Sequence, residues 1–272
     1  MAHGPTNYPS KGACIYCGAT NVPLKDEHVV PFSLGGKHVL RDASCATCED
    51  MTKKFEQKVA RDLWGDARTS FNAPTRRKKE RKSHVEMSDP VEHSRKHLMP
   101  AAEYPAGFVF YKMGACGFFR GLPETTDISA SWQMVMIDDD ARRNAFFKKH
   151  GHHPLLRFRH VPEAFGRLLA KIAYCQILTA LDLGDFRPLV LPYITGEKKN
   201  LSYVIGSKDA APESNNGYRL TTLYSDHAEK MVLMAEVRLY ANTHAPIYQV
   251  VVGDVSGPEE VGRVRDKLAG AL

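Results

Sequence analysis

Two pairs of cysteines, each with two residues between its members, constrain the fold of this chain more than any other feature. The pairs are Cys14/Cys17 and Cys45/Cys48, and 27 residues separate the two inner cysteines. Four thiolates suit tetrahedral Zn²⁺, and a two-residue gap lets both sulfur atoms of a pair face one ion at about 2.3 Å. The spacing therefore predicts a zinc site. Because four protein ligands close the coordination shell, this zinc is expected to be structural and not to activate water.

The composition is that of an ordinary folded protein. The chain has 272 residues, of which 43% are hydrophobic and 25% are charged, and these values exclude a wholly disordered, collagen-like or coiled-coil chain. No apolar run approaches the roughly 18 residues of a membrane span, and the polar start has no signal-peptide core. We therefore expect a cytoplasmic protein with no membrane partner. In that reducing compartment, paired cysteines favour metal over disulfides.

The hydrophobic pattern divides the chain into three parts. Residues 1–68 are polar and rich in Cys, Gly and His, and they end in a helix predicted over 49–64 from apolar residues at every fourth position. Residues 69–105 show no sustained apolar period and are predicted to form a basic linker or arm. Residues 106–272 are predicted to form a mainly antiparallel α+β domain.

Short β-rich runs and amphipathic segments carry the prediction for this last part. A helix is expected over 163–181, and another near Ser256, where Ser256 and Glu259 have the spacing of a capping box. The predicted strands are Phe108–Tyr111, Trp132–Ile137, Leu189–Ile194, Met231–Tyr240 and Ile247–Val252.

Positive charge is concentrated at the N-terminal side. The net charge is +6, and residues 1–98 hold 17 Lys and Arg against 12 Asp and Glu. In the run 76–82, six of seven residues are cationic. Such a run can neutralise phosphates, although a solvated linker is an equally good interpretation of the run alone.

The segment between the cysteine pairs carries the candidate catalytic residues. Its sequence is Asp26-Glu27-His28-Val29-Val30-Pro31-Phe32-Ser33-Leu34-Gly35-Gly36. The β-branched residues followed by Pro and Gly-Gly predict a short strand that leads into a loop. A lone Glu-His pair is more often structural than catalytic, but its position between two zinc-binding pairs favours a functional role.

Together these residues resemble the zinc-ribbon branch of the HNH endonucleases, whose nuclease core is a ββα-metal finger. The shared pattern is a first CxxC, an acid-His-aliphatic-aliphatic-Pro segment with Leu-Gly-Gly behind it, and a second CxxC whose next polar residue opens a helix. It covers roughly residues 12–60. The resemblance implies that residues 1–68, called the finger below, form a zinc-stapled ββα unit. It also implies metal-dependent hydrolysis of DNA phosphodiester bonds.

The resemblance also implies a role for each matching residue. His28 would be the general base that activates water, and Glu27 and Glu49 would hold one Mg²⁺ or Mn²⁺, with Asp50 as a rival for the second position. These roles agree with the preference of hard cations for carboxylates and with the proton affinity of imidazole. The chain departs from the family pattern in three places. Glu49 replaces the usual Asn, the middle Asn is missing, and the final His is absent, while Lys53 stands one helical turn after Glu49, where it could contact a phosphate.

Nucleic acid, and double-stranded DNA in particular, is the expected partner. Cations on the finger helix and in the basic run are expected to bind its phosphates, although a solvated basic helix face is the alternative. The candidate contacts are Lys53, Lys54, Lys58, Arg61, Arg76 and Arg77.

Several functional alternatives remain open at this point. The chain could be a non-catalytic zinc-ribbon module that binds nucleic acid as a regulator, while a redox or metal-storage protein would leave the basic helix without a purpose. Residues 106–272 are expected to serve substrate selection, regulation or assembly. Restriction of foreign DNA is a plausible setting for a nuclease. Double-strand cleavage would require a homodimer or two successive cuts.

Overall fold

The fold is a mixed α+β architecture, as the sequence predicts. It is known from a computed structural model, which describes residues 6–73, 79, 82–89, 92, 94–153, 155, 158–213 and 217–270. Within these ranges, helices alternate with strands that are paired mostly antiparallel.

The chain begins with a ββα unit. Strand β2 pairs antiparallel with β3, strand β1 adds to the other side of β3 in parallel, and helix α1 follows β3 directly. The finger implied by the resemblance is thereby confirmed as a ββα arrangement. Its elements are β1 (Thr6–Tyr8), β2 (Leu24–His28), a 3₁₀ turn (Phe32–Leu34), β3 (His38–Cys45), α1 (Ala46–Gln57), a π-helical segment (Lys58–Leu63) and α2 (Gly65–Ser70).

The remaining elements form two small hairpins and one larger sheet. They are β4 (His84–Ser88), β5 (Lys96–Pro100), β6 (Phe108–Lys112), β7 (Gln133–Ile137), α3 (Asp140–His150), α4 (Pro162–Ile177), β8 (Arg187–Pro188), α5 (Leu191–Thr195), β9 (Ile205–Lys208), β10 (Tyr218–Asp226), β11 (Lys230–Leu239), β12 (Ile247–Ser256) and α6 (Pro258–Gly270).

The larger sheet is built around three consecutive antiparallel strands. Strands β10, β11 and β12 pair in sequence order, and β8 and β9 pair with β12. Helix α4 packs across β10, β11 and β12, and α1 of the finger packs on α4. The predicted strands at 231–240 and 247–252 are confirmed, whereas the sequence pattern did not reveal β10.

The strand predicted over Leu189–Ile194 is wrong. The chain pairs with the sheet only at Arg187–Pro188 and then turns into the short helix α5. Pro192 lies in the first turn of this helix, where its missing N–H costs nothing. Gly196 ends the helix with a φ of 86°, a left-handed conformation that glycine adopts without a steric penalty.

The predicted linker over 69–105 contains ordered structure. Strands β4 and β5 form an antiparallel hairpin within it, and Val85, Met87 and Met99 are buried. Val85 and Met87 alternate with polar neighbours, a two-residue period that is too short to stand out beside the surrounding charges. The division of the chain into a finger, a linker and a C-terminal domain remains a prediction.

One hydrophobic core runs from the finger into the C-terminal part. Trp64, at the end of the π-helical segment, is buried, and its indole N–H donates a 2.6 Å hydrogen bond to the backbone oxygen of Val109. Its ring contacts Phe110 and Phe165. The finger therefore shares its packing with the strands and helices that follow it.

In the part of the chain that the structure describes, no helix combines the length and the apolar character that crossing a membrane requires.

Candidate active site and zinc centre

The four paired cysteines form one cluster. Their Sγ atoms all lie within 4.8 Å of one another, and the Sγ atoms of Cys17 and Cys45 are 3.8 Å apart. In a tetrahedral site with Zn–S distances of about 2.3 Å, neighbouring sulfur atoms are about 3.8 Å apart. The predicted four-cysteine cluster is therefore confirmed, and both its chemistry and its dimensions fit zinc.

Local backbone structure brings the two cysteine pairs together. After Cys14 the chain turns, and Gly18, with a φ of 71°, donates its N–H to the Cys14 carbonyl at 2.8 Å. The second pair spans the start of α1, with Cys45 as the residue that caps the helix. Although burial acts to raise the pKa of the Cys14 thiol, backbone N–H groups of Cys45, Tyr16 and Cys17 lower it to about 7. Burial raises the pKa of the Cys48 thiol instead, so Cys14 is the ligand whose thiolate form the backbone N–H groups favour.

The two glycines after Leu34 are each required by the local backbone, for different reasons. Gly35 ends the 3₁₀ turn with a φ of 87°. A Cβ atom on Gly36 would lie 1.7 Å from the backbone oxygen of Val30, so no larger residue fits there. This tight return places β3 beside β2 and sets the position of the strand that carries Glu27 and His28.

An irregularity in the pairing of β2 with β3 lies directly before these two residues. The register shifts between Lys25 and Glu27, and Asp42 on β3 has a φ of 44°. Asp26 stabilises the irregularity, since its carboxylate accepts hydrogen bonds from the Asp42 backbone N–H at 3.2 Å and from Arg41 at 2.5 Å. Such bulges change where the following side chains point and are frequent beside active sites.

The candidate catalytic residues meet at one cavity. A depression of about 370 Å³, called the His28 cavity below, is lined by Glu27, His28, Glu49, Lys53 and Arg61, among others. Asp50 is exposed and does not line it. The structure thus brings together five of the residues that the sequence singled out and leaves Asp50 apart.

Two lysines hold the carboxylate of Glu49. The Nζ atom of Lys25 lies 2.6 Å from one carboxylate oxygen, and that of Lys53, one helical turn away, lies 2.7 Å from the other. Hydrogen bonds from Lys25 and Lys53 lower the pKa of the Glu49 carboxyl. Glu49 is therefore an ionised group whose charge is already partly balanced.

A third lysine reaches the site from α4 and holds Glu27. Lys171 is completely buried, and its Nζ atom lies 2.8 Å from Oε1 of Glu27 and 3.0 Å from Oε1 of Glu56. It also donates a short hydrogen bond to the backbone oxygen of His28. Burial alone would lower the pKa of Lys171, but the carboxylates of Glu27 and Glu56 raise it above its ordinary value. Lys171 therefore stays protonated.

Sequence reasoning missed Lys171 and Glu56. The available signal was one lysine within the apolar stretch Leu168–Cys175 of a helix that otherwise reads as core. Because fully buried lysines are rare unless they are paired, such a residue predicts a buried acidic partner without naming it.

A second cavity adjoins the first. It has a volume of about 730 Å³, lies between the finger helix and the start of α4, and shares Gln57 and Arg61 with the His28 cavity. The predicted phosphate-binding residues Lys54 and Lys58 line it, both exposed, together with His160 and Arg167 from the C-terminal part. Arg76 and Arg77 lie outside the described residues.

The donor chemistry around the His28 cavity suits a hard divalent cation. Glu27 and Glu49 offer carboxylate oxygens, the donors that Mg²⁺ and Mn²⁺ prefer. Among the residues that the structure describes, however, the four cysteines are the group whose ligand atoms already lie close enough together to bind one metal ion. At the His28 cavity, the carboxylates of Glu27 and Glu49 are instead paired with lysine ammonium groups.

The comparison with protein families agrees with the resemblance drawn from the sequence. Residues 14–63 match the family described as HNH endonuclease. The matched range contains both cysteine pairs, the Glu27-His28 segment, and the finger helix. No curated protein and no solved structure matches the chain significantly. The match confirms the HNH resemblance for the finger and indicates a function connected with nucleic acids.

Proposed function

We propose that this protein is an endonuclease that hydrolyses phosphodiester bonds of double-stranded DNA, starting from the match of residues 14–63 to the HNH endonucleases. One observation carries the proposal: His28, Glu27 and Glu49 line the same cavity. A histidine and two carboxylates that face one space are the groups that metal-assisted hydrolysis of a phosphodiester needs.

In the proposed reaction, His28 removes the proton from the attacking water. Imidazole is suited to this step because its ordinary pKa, about 6.5, leaves much of it neutral at pH 7. Glu27 and Glu49 would hold Mg²⁺ or Mn²⁺, which when bound supplies Lewis acidity and charge neutralisation at the scissile phosphate. The cavity favours Glu49 over Asp50 as the second ligand, since Asp50 does not line it. The zinc proposed for the four cysteines has a structural role only.

Cations next to the cavity would bind the DNA backbone. Lys53 and Arg61 line the His28 cavity itself, and Lys54 and Lys58 line the adjoining one. This arrangement offers phosphate contacts on one side of the proposed reaction centre. Contacts of this type give affinity without sequence preference.

A second candidate function has its own support. Lys25 and Lys53 occupy both carboxylate oxygens of Glu49, so a divalent ion would have to displace them. This favours, as the alternative, a non-catalytic zinc-ribbon module that binds nucleic acid and acts in regulation.

Cleavage of supercoiled plasmid separates the two functions. Zinc-loaded wild type is incubated with Mg²⁺ or Mn²⁺, with an EDTA control, beside His28→Ala and the matched control His153→Ala, which changes an exposed histidine outside the cavity. We expect metal-dependent nicking by wild type and His153→Ala, and its loss in His28→Ala. Equal nicking by all three proteins would refute the role of His28. Salt-sensitive DNA binding without any nicking would support the regulatory module.

We further propose restriction of foreign DNA in the cytoplasm as the biological setting. One finger cuts one strand at a time, so cleavage of both strands would call for a homodimer or for two successive events. The ratio of linear to nicked plasmid at increasing protein concentration distinguishes these two cases.

A further inference from the structure

Lys171 is a charged residue in the interior of the protein. It lies in the middle of α4, between Ala170 and Ile172, and all three residues are 0% exposed. A lysine in such a position loses its hydration, and this is tolerated only when its ammonium group is paired and hydrogen-bonded.

All three partners of this ammonium group belong to the finger. They are the carboxylates of Glu27 and Glu56 and the backbone oxygen of His28. Glu27 and His28 are adjacent at the end of β2, and Glu56 lies on α1. One side chain from the C-terminal part therefore fixes the strand end that carries both proposed catalytic residues.

The charges in this trio do not cancel. Burial raises the pKa of the Glu56 carboxyl above its ordinary value, although the ammonium of Lys171 acts in the opposite direction. With both carboxylates ionised, the trio carries one net negative charge, and both Glu27 and Glu56 line the His28 cavity. Without the Glu56 carboxylate, the ammonium of Lys171 would cancel the negative charge of Glu27 completely. Glu56 thus preserves negative charge at a place where a cation would bind, and at seven residues after Glu49 it lies on the same face of α1 as Glu49 and Lys53.

We propose that Lys171 is a positioning residue for Glu27, and that Glu56 compensates its charge. In this inference, Lys171 holds Oε1 of Glu27 in a fixed orientation while the trio retains the negative charge that attracts a divalent ion. The inference rests on the proposed function, because it assigns the orientation of a carboxylate that the proposed reaction uses. It also makes cleavage by the finger depend on α4.

Two variants separate charge from orientation. Glu56→Gln keeps Lys171 paired with Glu27 but removes the compensating charge. The double variant Lys171→Met/Glu56→Gln removes one positive and one negative charge, so the net charge stays as in wild type while Glu27 loses its anchor. Glu236→Gln is the matched control, because Glu236 is also a buried glutamate paired with a lysine, Lys208, but on the C-terminal sheet.

Binding of Mn²⁺ to the zinc-loaded full chain is measured by electron paramagnetic resonance in the absence of DNA, and cleavage is measured at saturating Mn²⁺. We expect Glu56→Gln to weaken Mn²⁺ binding by about 10- to 100-fold, as loss of groups around a metal ligand commonly does. The double variant should bind Mn²⁺ close to the wild-type value but cleave about 10- to 100-fold more slowly at saturation. Glu236→Gln should match wild type in both measurements.

The outcomes distinguish positioning from a purely structural role. A trio that only joins α4 to the finger would lower the melting temperature of the variants and leave both Mn²⁺ affinity and the saturated rate unchanged, which would overturn the inference. Unchanged Mn²⁺ binding in Glu56→Gln would overturn the charge argument even if the double variant fails to fold. If wild type binds Mn²⁺ but cuts no DNA, the proposed function fails, and the binding comparison still decides whether the trio controls the metal.

Discussion

The hydroxyl group of Tyr174 donates a 2.8 Å hydrogen bond to the backbone carbonyl of Ile15. Ile15 lies between the cysteines of the first pair, and Tyr174 lies three residues after Lys171 on α4. Residues three apart share one face of a helix. The same face of α4 therefore holds both the zinc-binding turn and the end of the strand that carries Glu27 and His28.

Loss of one zinc ligand should unfold the finger. We expect Cys45→Ser to lose bound zinc and to melt at a lower temperature, because zinc binding by four cysteines contributes folding free energy on the order of 10 kcal/mol. Zinc content by mass spectrometry and the melting curve are measured on the same protein. Cys116→Ala, which changes a buried cysteine outside the cluster, should keep one zinc per chain. Retained zinc and an unchanged melting curve in Cys45→Ser would exclude the four-cysteine site.

The two rival metal ligands should respond differently to neutral substitution. Glu49→Gln removes a carboxylate that lines the His28 cavity, and we expect a loss of cleavage of about 10- to 100-fold at a fixed Mn²⁺ concentration. Asp50→Asn changes an exposed carboxylate outside that cavity and should cleave as wild type does. The cleavage rate of each variant is measured as a function of Mn²⁺ concentration. If Asp50→Asn loses cleavage and Glu49→Gln does not, Asp50 is the second metal ligand.

The cations beside the second cavity should determine the salt dependence of DNA binding. Each phosphate contact contributes about 0.9 to the slope of log affinity against log salt concentration, so Lys54→Ala/Lys58→Ala should reduce that slope by about 2. The matched control is Lys208→Ala/Lys230→Ala, two exposed lysines on β9 and β11 that line neither cavity. Fluorescence anisotropy with a labelled duplex at several salt concentrations measures both. Identical slopes for the two double variants would remove the cavity from the DNA-binding surface.

Acid should weaken the contact of α6 with the loop after α4. Asp185 in this loop is buried and paired with Lys267 at 2.7 Å and with Arg263. Burial acts to raise the pKa of Asp185, but hydrogen bonds from Lys267, the Asp182 backbone N–H and Arg263 hold it below its ordinary value. A depressed carboxyl pKa stabilises the fold above the unfolded-state pKa, about 3.9, and this stability is lost as pH falls through the folded-state pKa.

Asp185→Asn should therefore lower the free energy of unfolding by about 1 to 3 kcal/mol at pH 6, and the difference from wild type should shrink below about pH 3.5. Urea unfolding at both pH values measures it. Asp209→Asn, whose carboxylate is 71% exposed beside Lys112, should change little at either pH. A constant difference between wild type and Asp185→Asn across this range would contradict the assignment.

The elements that the sequence predicted well have local signals. The finger helix was expected over 49–64, and α1 with its π-helical continuation covers Ala46–Leu63. The helix expected over 163–181 corresponds to α4 at Pro162–Ile177. In both cases apolar residues recur along one face, a pattern that depends only on spacing along the chain.

The elements that the sequence predicted poorly depend on neighbours far along the chain. The run Leu189–Ile194 is apolar enough for a strand. It is helical instead, because the chain pairs with the sheet only as far as Pro188 and Pro192 fits the first turn of a helix. Strand β10 carries charged and polar residues, and it pairs with β11 along its whole length. Its pairing, more than its own composition, makes it a strand.

The sequence by itself determined the four-cysteine cluster and the ββα finger, because the two CxxC pairs, the Glu-His segment and the Gly-Gly turn all lie within a short stretch of chain. It also determined which residues were candidates for chemistry. Only the tertiary structure decided which carboxylates face His28, and that a lysine 143 positions away holds the strand end. The physical reason is burial: pairing an ammonium group with Glu27 and Glu56 depends on how α4 packs against the finger, and no spacing along the chain encodes that contact.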